Sequence, residues 1–89
     1  MQHELKTWPE YFHAVVDGTK TFDIRRNDRD YKVGDVLVFK EWDKTRKEYT
    51  GRSHVSQITY LCANPVWLHA GIIVMAIKNQ NLTAEGSRL

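Results

Sequence analysis

Cysteine is nearly absent from this chain of 89 residues, with Cys62 the single example. No disulfide can form within the chain, and a reducing cytoplasm is the expected compartment. Cys62 is expected to act as a small apolar filler. His3, His13, His54 and His69 are scattered, with no His-x-x-x-His pair and no Cys–His cluster. That spacing argues against a zinc site, and neither metal nor cofactor is expected. No glycine loop of the phosphate-cradling form is present, which excludes a P-loop nucleotide hydrolase. Ser53, Ser56 and Ser87 lack a nucleophile-elbow setting. The longest strongly apolar stretch, Ile72 to Ile77, is far too short to span a bilayer. Met1 to Lys6 has no basic region followed by an apolar run, so neither a signal peptide nor a membrane partner is expected. An excess of one charge is also missing. The formal net charge is +2 and the sequence pI about 8.8, which permits a nucleic-acid partner without demanding one.

What is present fits a globular chain. The hydrophobic fraction is 42% and the charged fraction 27%, both ordinary for a folded domain. Three Trp, four Tyr and three Phe are a rich aromatic supply for this length. His3 to Lys6 reads as a short first strand. Thr7-Trp8-Pro9-Glu10 has the form of a capping box, with Pro9 in the first turn, where its missing donor costs nothing. A helix follows from about Trp8 to Asp17, with Trp8, Phe12, Val15 and Val16 on one face and Gly18 as its stop. Lys20 to Arg26 alternates, predicting a strand with Phe22 and Ile24 buried and Asp23 and Arg25 on the polar face. Further strands are predicted from Val36 to about Trp42, from Arg52 to Leu61 and from Ile72 to Lys78. Asp43 to Gly51 reads as a polar hairpin connection. The expected architecture is α+β: a small β-barrel with one N-terminal helix, a single domain over residues 1–78, and a disordered polar tail over 79–89. Phe22 on the surface, or Lys20 to Arg26 helical, would sink the barrel.

The segment Gly18-Thr19-Lys20-Thr21-Phe22-Asp23-Ile24-Arg25-Arg26 carries the strongest chemical signal. Residues two apart on a strand lie about 7 Å apart on one face. Lys20, Asp23 and Arg25 therefore place a cation, an anion and a second cation around one patch. Arg offers a bidentate fork and Lys a point charge, so the patch can hold a phosphate or a polar planar ligand. The alternative is an ordinary solvated face with weak ion pairs. Arg26, Arg29 and Lys32 could extend a basic rim toward phosphates. Asp28 and Asp30 can equally neutralise them while making turn hydrogen bonds. Exposed aromatics stack bases, and Trp67, in the stretch Ala63 to Gly71, is a candidate cleft wall or lid. Trp42 and Tyr49 sit on or beside the central hairpin, and Trp42 is expected to pack in the core or at its rim. Trp8 is expected to pack at the helix start.

Gly18-x-Lys20-x-x-Asp23-x-Arg25 after a short helix resembles the ASCH motif of the PUA-like superfamily. His3-Glu4-Leu5-Lys6, Tyr11-Phe12, Lys20 to Arg29, Val33-Gly34-Asp35 and Glu41-Trp42 together resemble DUF3850, a family of small bacterial and phage proteins with no settled activity. The resemblance spans roughly Gln2 to Lys78. It implies a PUA-like barrel with a ligand cleft beside the Lys20 motif, and His3 near that cleft. The resemblance implies RNA binding; together with the residue pattern it gives RNA or a modified nucleobase as the expected ligand, with His3, Lys20, Asp23, Arg25, Arg26, Arg29 and Trp67 as the expected contacts. Asp23 stands where many ASCH proteins carry glutamate. Some ASCH relatives are amidohydrolases that deacetylate acetylcytidine, with a lysine at the position of Lys20. They carry threonine where this chain has Asp23 and need a glutamate on a later strand; Glu41 and Glu48 are the available ones. A carboxylate beside Lys20 favours its charged form, so binding is the expected function and Lys20 is catalytic only in the hydrolase alternative. A protein-interaction module is the further alternative, favoured by a contiguous apolar surface far from Lys20. With Asp23 on a polar face, Asp23→Asn would weaken ligand binding and leave the fold intact.

Overall fold

A computed structural model describes residues 1–80. In chain order the elements are β1 (Gln2–Thr7), α1 (Pro9–Val16), β2 (Phe22–Arg26), β3 (Val36–Asp43), β4 (Glu48–Cys62) and β5 (Ile72–Asn79). The expected order of strand, helix and four strands is what forms. Asn79, expected in the tail, belongs to β5, and residues 81–89 of the expected tail lie outside the described residues. No helix among the described residues is long and apolar enough to cross a membrane.

The five strands make one sheet in the order β1-β3-β4-β5-β2. β1 runs parallel to β3, and the other pairings are antiparallel. Alternation places His3, Leu5 and Thr7 inward from β1. Leu37, Phe39, Ile58, Ile73, Met75 and Ile77 point inward from the other strands, and Phe12 and Val15 of α1 cover them. The capping box does not form. Thr7 stays in β1, opposite Glu41, and its hydroxyl donates to the Leu5 carbonyl at 3.1 Å. Trp8 is the N-cap residue, without a side-chain cap bond, and Glu10 pairs with Lys44 instead. Of the expected helix face only Phe12 and Val15 are buried; Trp8 and Val16 are exposed.

The larger correction concerns β2. Phe22 and Ile24 are exposed, at 42% and 55%, while Asp23 is buried at 4%. Alternation marks two faces without saying which one is inward, and a one-residue choice flips every side chain. The inward choice here follows from the two sheet edges. β1 and β2 are the outermost strands and are not ladder partners. Their seam is bridged by side chains: Arg25 Nη1 donates to the Lys6 carbonyl at 3.0 Å, and Arg29 Nη1 to the Glu4 carbonyl at 2.7 Å. Arg25 Nη2 also donates to the Thr7 hydroxyl at 3.3 Å. The sheet is nonetheless a curled, incomplete barrel, with arginines where a closing backbone ladder would run; the exposed Phe22, expected to rule a barrel out, marks only the outward face of β2.

A bulge shapes the opposite side. Between the pairs Lys40↔Ser53 and Trp42↔Tyr49, β3 contributes one residue and β4 three. Gly51, in the middle of those three, has φ +96°, a conformation that side-chain-bearing residues rarely adopt. The bulge turns both Thr50 and Arg52 onto Glu41, each at 2.7 Å. His13 of α1 reaches the other Glu41 oxygen at 2.9 Å, so this carboxylate ties the helix to two strands. Burial pushes the Glu41 carboxyl up. The bonds from Thr50 and Arg52, the Arg52 charge and the bond from His13 outweigh it, and the group titrates below the ordinary glutamate range.

Asp35, just before β3, is a second buried anchor. It meets His3 Nε2 at 2.9 Å and accepts from the Met1 ammonium and the Lys32 backbone N–H, each at 3.1 Å. The His3 bond is the largest of several influences that bring its carboxyl down to about 2 from 3.8. A depressed folded-state pKa stabilises the fold above the unfolded value, and that stability is lost as pH falls through the folded one. Urea denaturation of the wild type should therefore show stability falling between about pH 4 and pH 2. Asp35→Asn should flatten that part of the profile and lower stability at neutral pH by about 1.5–3 kcal/mol, the range for hydrogen bonds to a charged group. An unchanged acid limb in the variant would show that Asp35 is not the anchor.

Candidate functional site

The seam between β1 and β2 opens into a cleft of about 480 Å³. The end of β1 supplies Lys6 and Thr7, the start of α1 supplies Trp8 and Tyr11, and β2 supplies Phe22, Asp23, Ile24 and Arg25. Lys20 enters from the connection between α1 and β2. Helical spacing explains the aromatic wall: residues three apart share a face. The Trp8 and Tyr11 rings lie 17° from parallel with centroids 6.1 Å apart, and both side chains are about half exposed. Gly18, at φ +86°, ends the helix and turns the chain so that the Lys20 N–H donates to the Ala14 carbonyl. The lysine then enters the cleft, its Nζ 5.8 Å from the Tyr11 centroid and 5.0 Å from that of Phe22.

Asp23 organises the polar floor. One carboxylate oxygen accepts from Lys20 Nζ at 3.0 Å and the other from Arg25 Nε at 2.6 Å. Lys20 Nζ also donates to the Phe22 carbonyl at 2.7 Å. Both Asp23 oxygens are thereby engaged inside the protein, and Arg25 spends its outer nitrogens on β1. Lys20 keeps one donor free, since an ammonium carries three and two are used, while Arg25, held at three points, keeps two of its five N–H groups.

Of the residues expected at the site, the structure brings Lys20, Asp23 and Arg25 together in the cleft. The other four do not line it. His3 is buried against Asp35, with its ring 4.7 Å from that of Tyr31. Arg26 is exposed at the end of β2, and Arg29 is committed to the β1 edge. Trp67 is 78% exposed in the connection between β4 and β5. Glu41 is 1% exposed and held by His13, Thr50 and Arg52, and Glu48 opens β4; neither lines the cleft. Sequence reasoning missed Lys6, Thr7, Trp8, Tyr11, Phe22 and Ile24 as cleft residues. The available signal was the Trp8–Tyr11 spacing beside Lys20; it was masked by assigning Trp8 to packing and Phe22 to the core. Among the described residues no group of His, Cys, Asp and Glu could hold a metal ion.

Residues 2–77 match a family model described as a domain of unknown function, DUF3850. The chain is also similar to a protein of Escherichia phage P2 described as "Uncharacterized 12.9 kDa protein in GpA 3'region". The two are 32% identical over 80 residues, covering 90% of this chain and 72% of the phage protein. Neither description carries an activity.

Burial of Asp23 changes what its substitution should do. Asp23→Ala strands two partly buried cations, a situation that costs about 3–5 kcal/mol when a buried pair loses one partner. Arg26→Ala, on an exposed side chain, should change stability by less than about 0.5 kcal/mol. Guanidinium melts of the two variants make the comparison. Equal, small losses would mean that Asp23 is solvated and the seam is held by something else.

Proposed function

We propose that this chain, which belongs to the DUF3850 family, is a binding domain that takes a nucleobase, from RNA or as a modified nucleoside, into the cleft of a PUA-like, ASCH-type barrel. One observation carries the reading: three exposed aromatic side chains, Trp8, Tyr11 and Phe22, surround a lysine with an uncommitted donor. A flat, weakly polar ring with a carbonyl at its edge suits such a cleft. The aromatics supply stacking, worth about 1–3 kcal/mol per base. Lys20 supplies one directed donor to a base carbonyl or a phosphate oxygen. Asp23 and Arg25 hold Lys20 and the cleft edge in place, and their bonds within the protein make them positioning residues. Phe22 and Ile24, the exposed apolar residues of β2, line the same cleft as Lys20, which favours a small planar ligand here over a separate protein-docking face.

Deacetylation of an acylated nucleoside is less well supported. A lysine acting as base needs a free lone pair, and Lys20 is ion-paired to Asp23 at 3.0 Å. The glutamate such chemistry requires has no counterpart in the cleft, where Asp23 is the lone carboxylate among the lining residues.

Calorimetric titration with the common nucleosides, acetylcytidine and short single-stranded RNA tests the proposal. Binding is expected to weaken by about 5- to 150-fold in Trp8→Ala, the loss of one stacking partner, and to fall in Lys20→Ala. RNA affinity should decline as salt rises. Chromatography should recover acetylcytidine unchanged. Absence of binding to every probe at low salt would remove the nucleobase reading, and turnover abolished by Lys20→Ala would replace it with hydrolysis.

A further inference from the structure

Aromatic rings capped by lysines continue beyond the cleft. Lys6 lines the cleft, yet its Nζ lies 4.0 Å from the centroid of Trp42, on β3. Trp42 meets Tyr49 of β4 edge to face, with centroids 4.9 Å apart, and Lys40 Nζ lies 5.4 Å from the Tyr49 centroid. Within the cleft wall itself Lys44 Nζ lies 4.2 Å from the centroid of Trp8. Pairing explains the grouping. Lys6 is the register partner of Lys40, and Trp42 that of Tyr49, so the four side chains form one patch on the outer face of β1, β3 and β4.

We infer that this patch is a second base platform, and that the natural ligand is a single-stranded nucleic acid running from the cleft over Lys6 to Trp42 and Tyr49. The inference rests on the cleft reading and adds the length and path of the ligand. Two strand spacings separate β1 from β4, about 10 Å. At about 3.4 Å per stacked nucleotide that distance holds about three nucleotides at most, and fewer when the strand is extended. Alternating rings and cations are the chemistry of a single-strand track: rings take base faces and lysines take the phosphates between them.

The lysines now over the rings do not block this. An exposed cation–π contact is worth about 0.5–1 kcal/mol, whereas base stacking on an aromatic is worth about 1–3 kcal/mol. A base that takes the ring face gains more than the lysine loses, and the freed ammonium lies beside the incoming phosphate. Lys40 has a competing acceptor in Glu4 at 3.6 Å, an exposed pair of small strength that a phosphate can replace. A peptide partner is less well matched, because the platform offers flat ring faces and point cations, while the carbonyls of Glu4 and Lys6 on the β1 edge already accept from arginines.

Oligouridylates of increasing length, followed by fluorescence anisotropy, and uridine, followed by calorimetry, test the track in the full chain. Affinity should rise with length and then level off. Trp42→Ala and Tyr49→Ala should each weaken the longer strands by about 5- to 150-fold and leave uridine binding unchanged, with Trp42→Phe restoring most of the loss. Lys6→Ala and Lys40→Ala should each reduce the log–log salt slope by about 0.7. Length-independent affinity, or wild-type binding of long strands by Trp42→Ala and Tyr49→Ala, overturns the track while uridine binding leaves the cleft reading standing. Strand binding that depends on Trp42 but ignores Trp8 and Lys20 removes the cleft reading and keeps the platform. Equal displacement of the strand by polyglutamate overturns the nucleic-acid assignment, and failure of uridine and all strands to bind removes both proposals.

Discussion

Asp23 sits at 4% exposure between two cations, and most of what is distinctive in the molecule depends on that arrangement. An isolated buried carboxylate carries a desolvation penalty of several kcal/mol, so the inward face of β2 is tolerable only because Lys20 and Arg25 each take one oxygen. The pairings then propagate. Arg25, fixed at its Nε, directs its outer nitrogens to Lys6 and Thr7 of β1. Lys20, fixed at two donors, lies over the Tyr11 and Phe22 rings. Edge closure and cleft chemistry share a single anion.

The way the seam is bridged also accounts for the existence of a cleft. Two strands in a ladder lie about 4.8 Å apart, which leaves no room between them. An arginine side chain reaches further than that, so β1 and β2 can be joined while standing apart. The free edge of β1 would otherwise present unpaired carbonyls, a template for adventitious strand pairing. Arg25 and Arg29 cover the Lys6 and Glu4 carbonyls from one side, and the space above becomes the pocket under Trp8 and Tyr11. The bulge at Gly51 does comparable work on the far side, where it brings Thr50 and Arg52 to Glu41 and so anchors His13 and the helix that carries the aromatic wall.

Order and type of the elements were legible because hydrophobic periodicity and turn residues are local. Val36 to Trp42 and Ile72 to Lys78 declare themselves as strands, and Gly18 declares the helix end. The Lys20, Asp23 and Arg25 cluster was legible for the same reason, since all three lie within six residues. Which face of β2 turned inward was not, because that depends on Lys6 and Thr7, nearly twenty residues earlier, as acceptors for Arg25. Thr7 shows the same limit. Its sequence context is that of a helix cap, but parallel pairing with Glu41 holds it in β1, and tertiary pairing overrode a local signal. His3 was placed with the site by resemblance; the structure gives it to Asp35, a partner 32 residues away in sequence.

The small net charge, +2, bears on how such a surface would hold a nucleic acid. Electrostatic binders rely on many phosphate contacts and a large cationic excess. Here the lysines near the aromatic rings are largely balanced: Lys20 by Asp23, Lys44 by Glu10 and Lys40 by Glu4. Field strength alone therefore gives little attraction, and ring faces have to supply most of the binding free energy. Three rings at the cleft and two beyond it, at about 1–3 kcal/mol for each base stacked, are sufficient for a short strand without a basic surface. In the proposed track Lys40 and Lys44 would act by position: each is held near a ring by a weak contact and by an exposed ion pair that a phosphate can replace, while Lys20 stays paired with Asp23. On the proposed track such a surface would discriminate a flexible single strand from a duplex, because a duplex presents phosphates without free base faces.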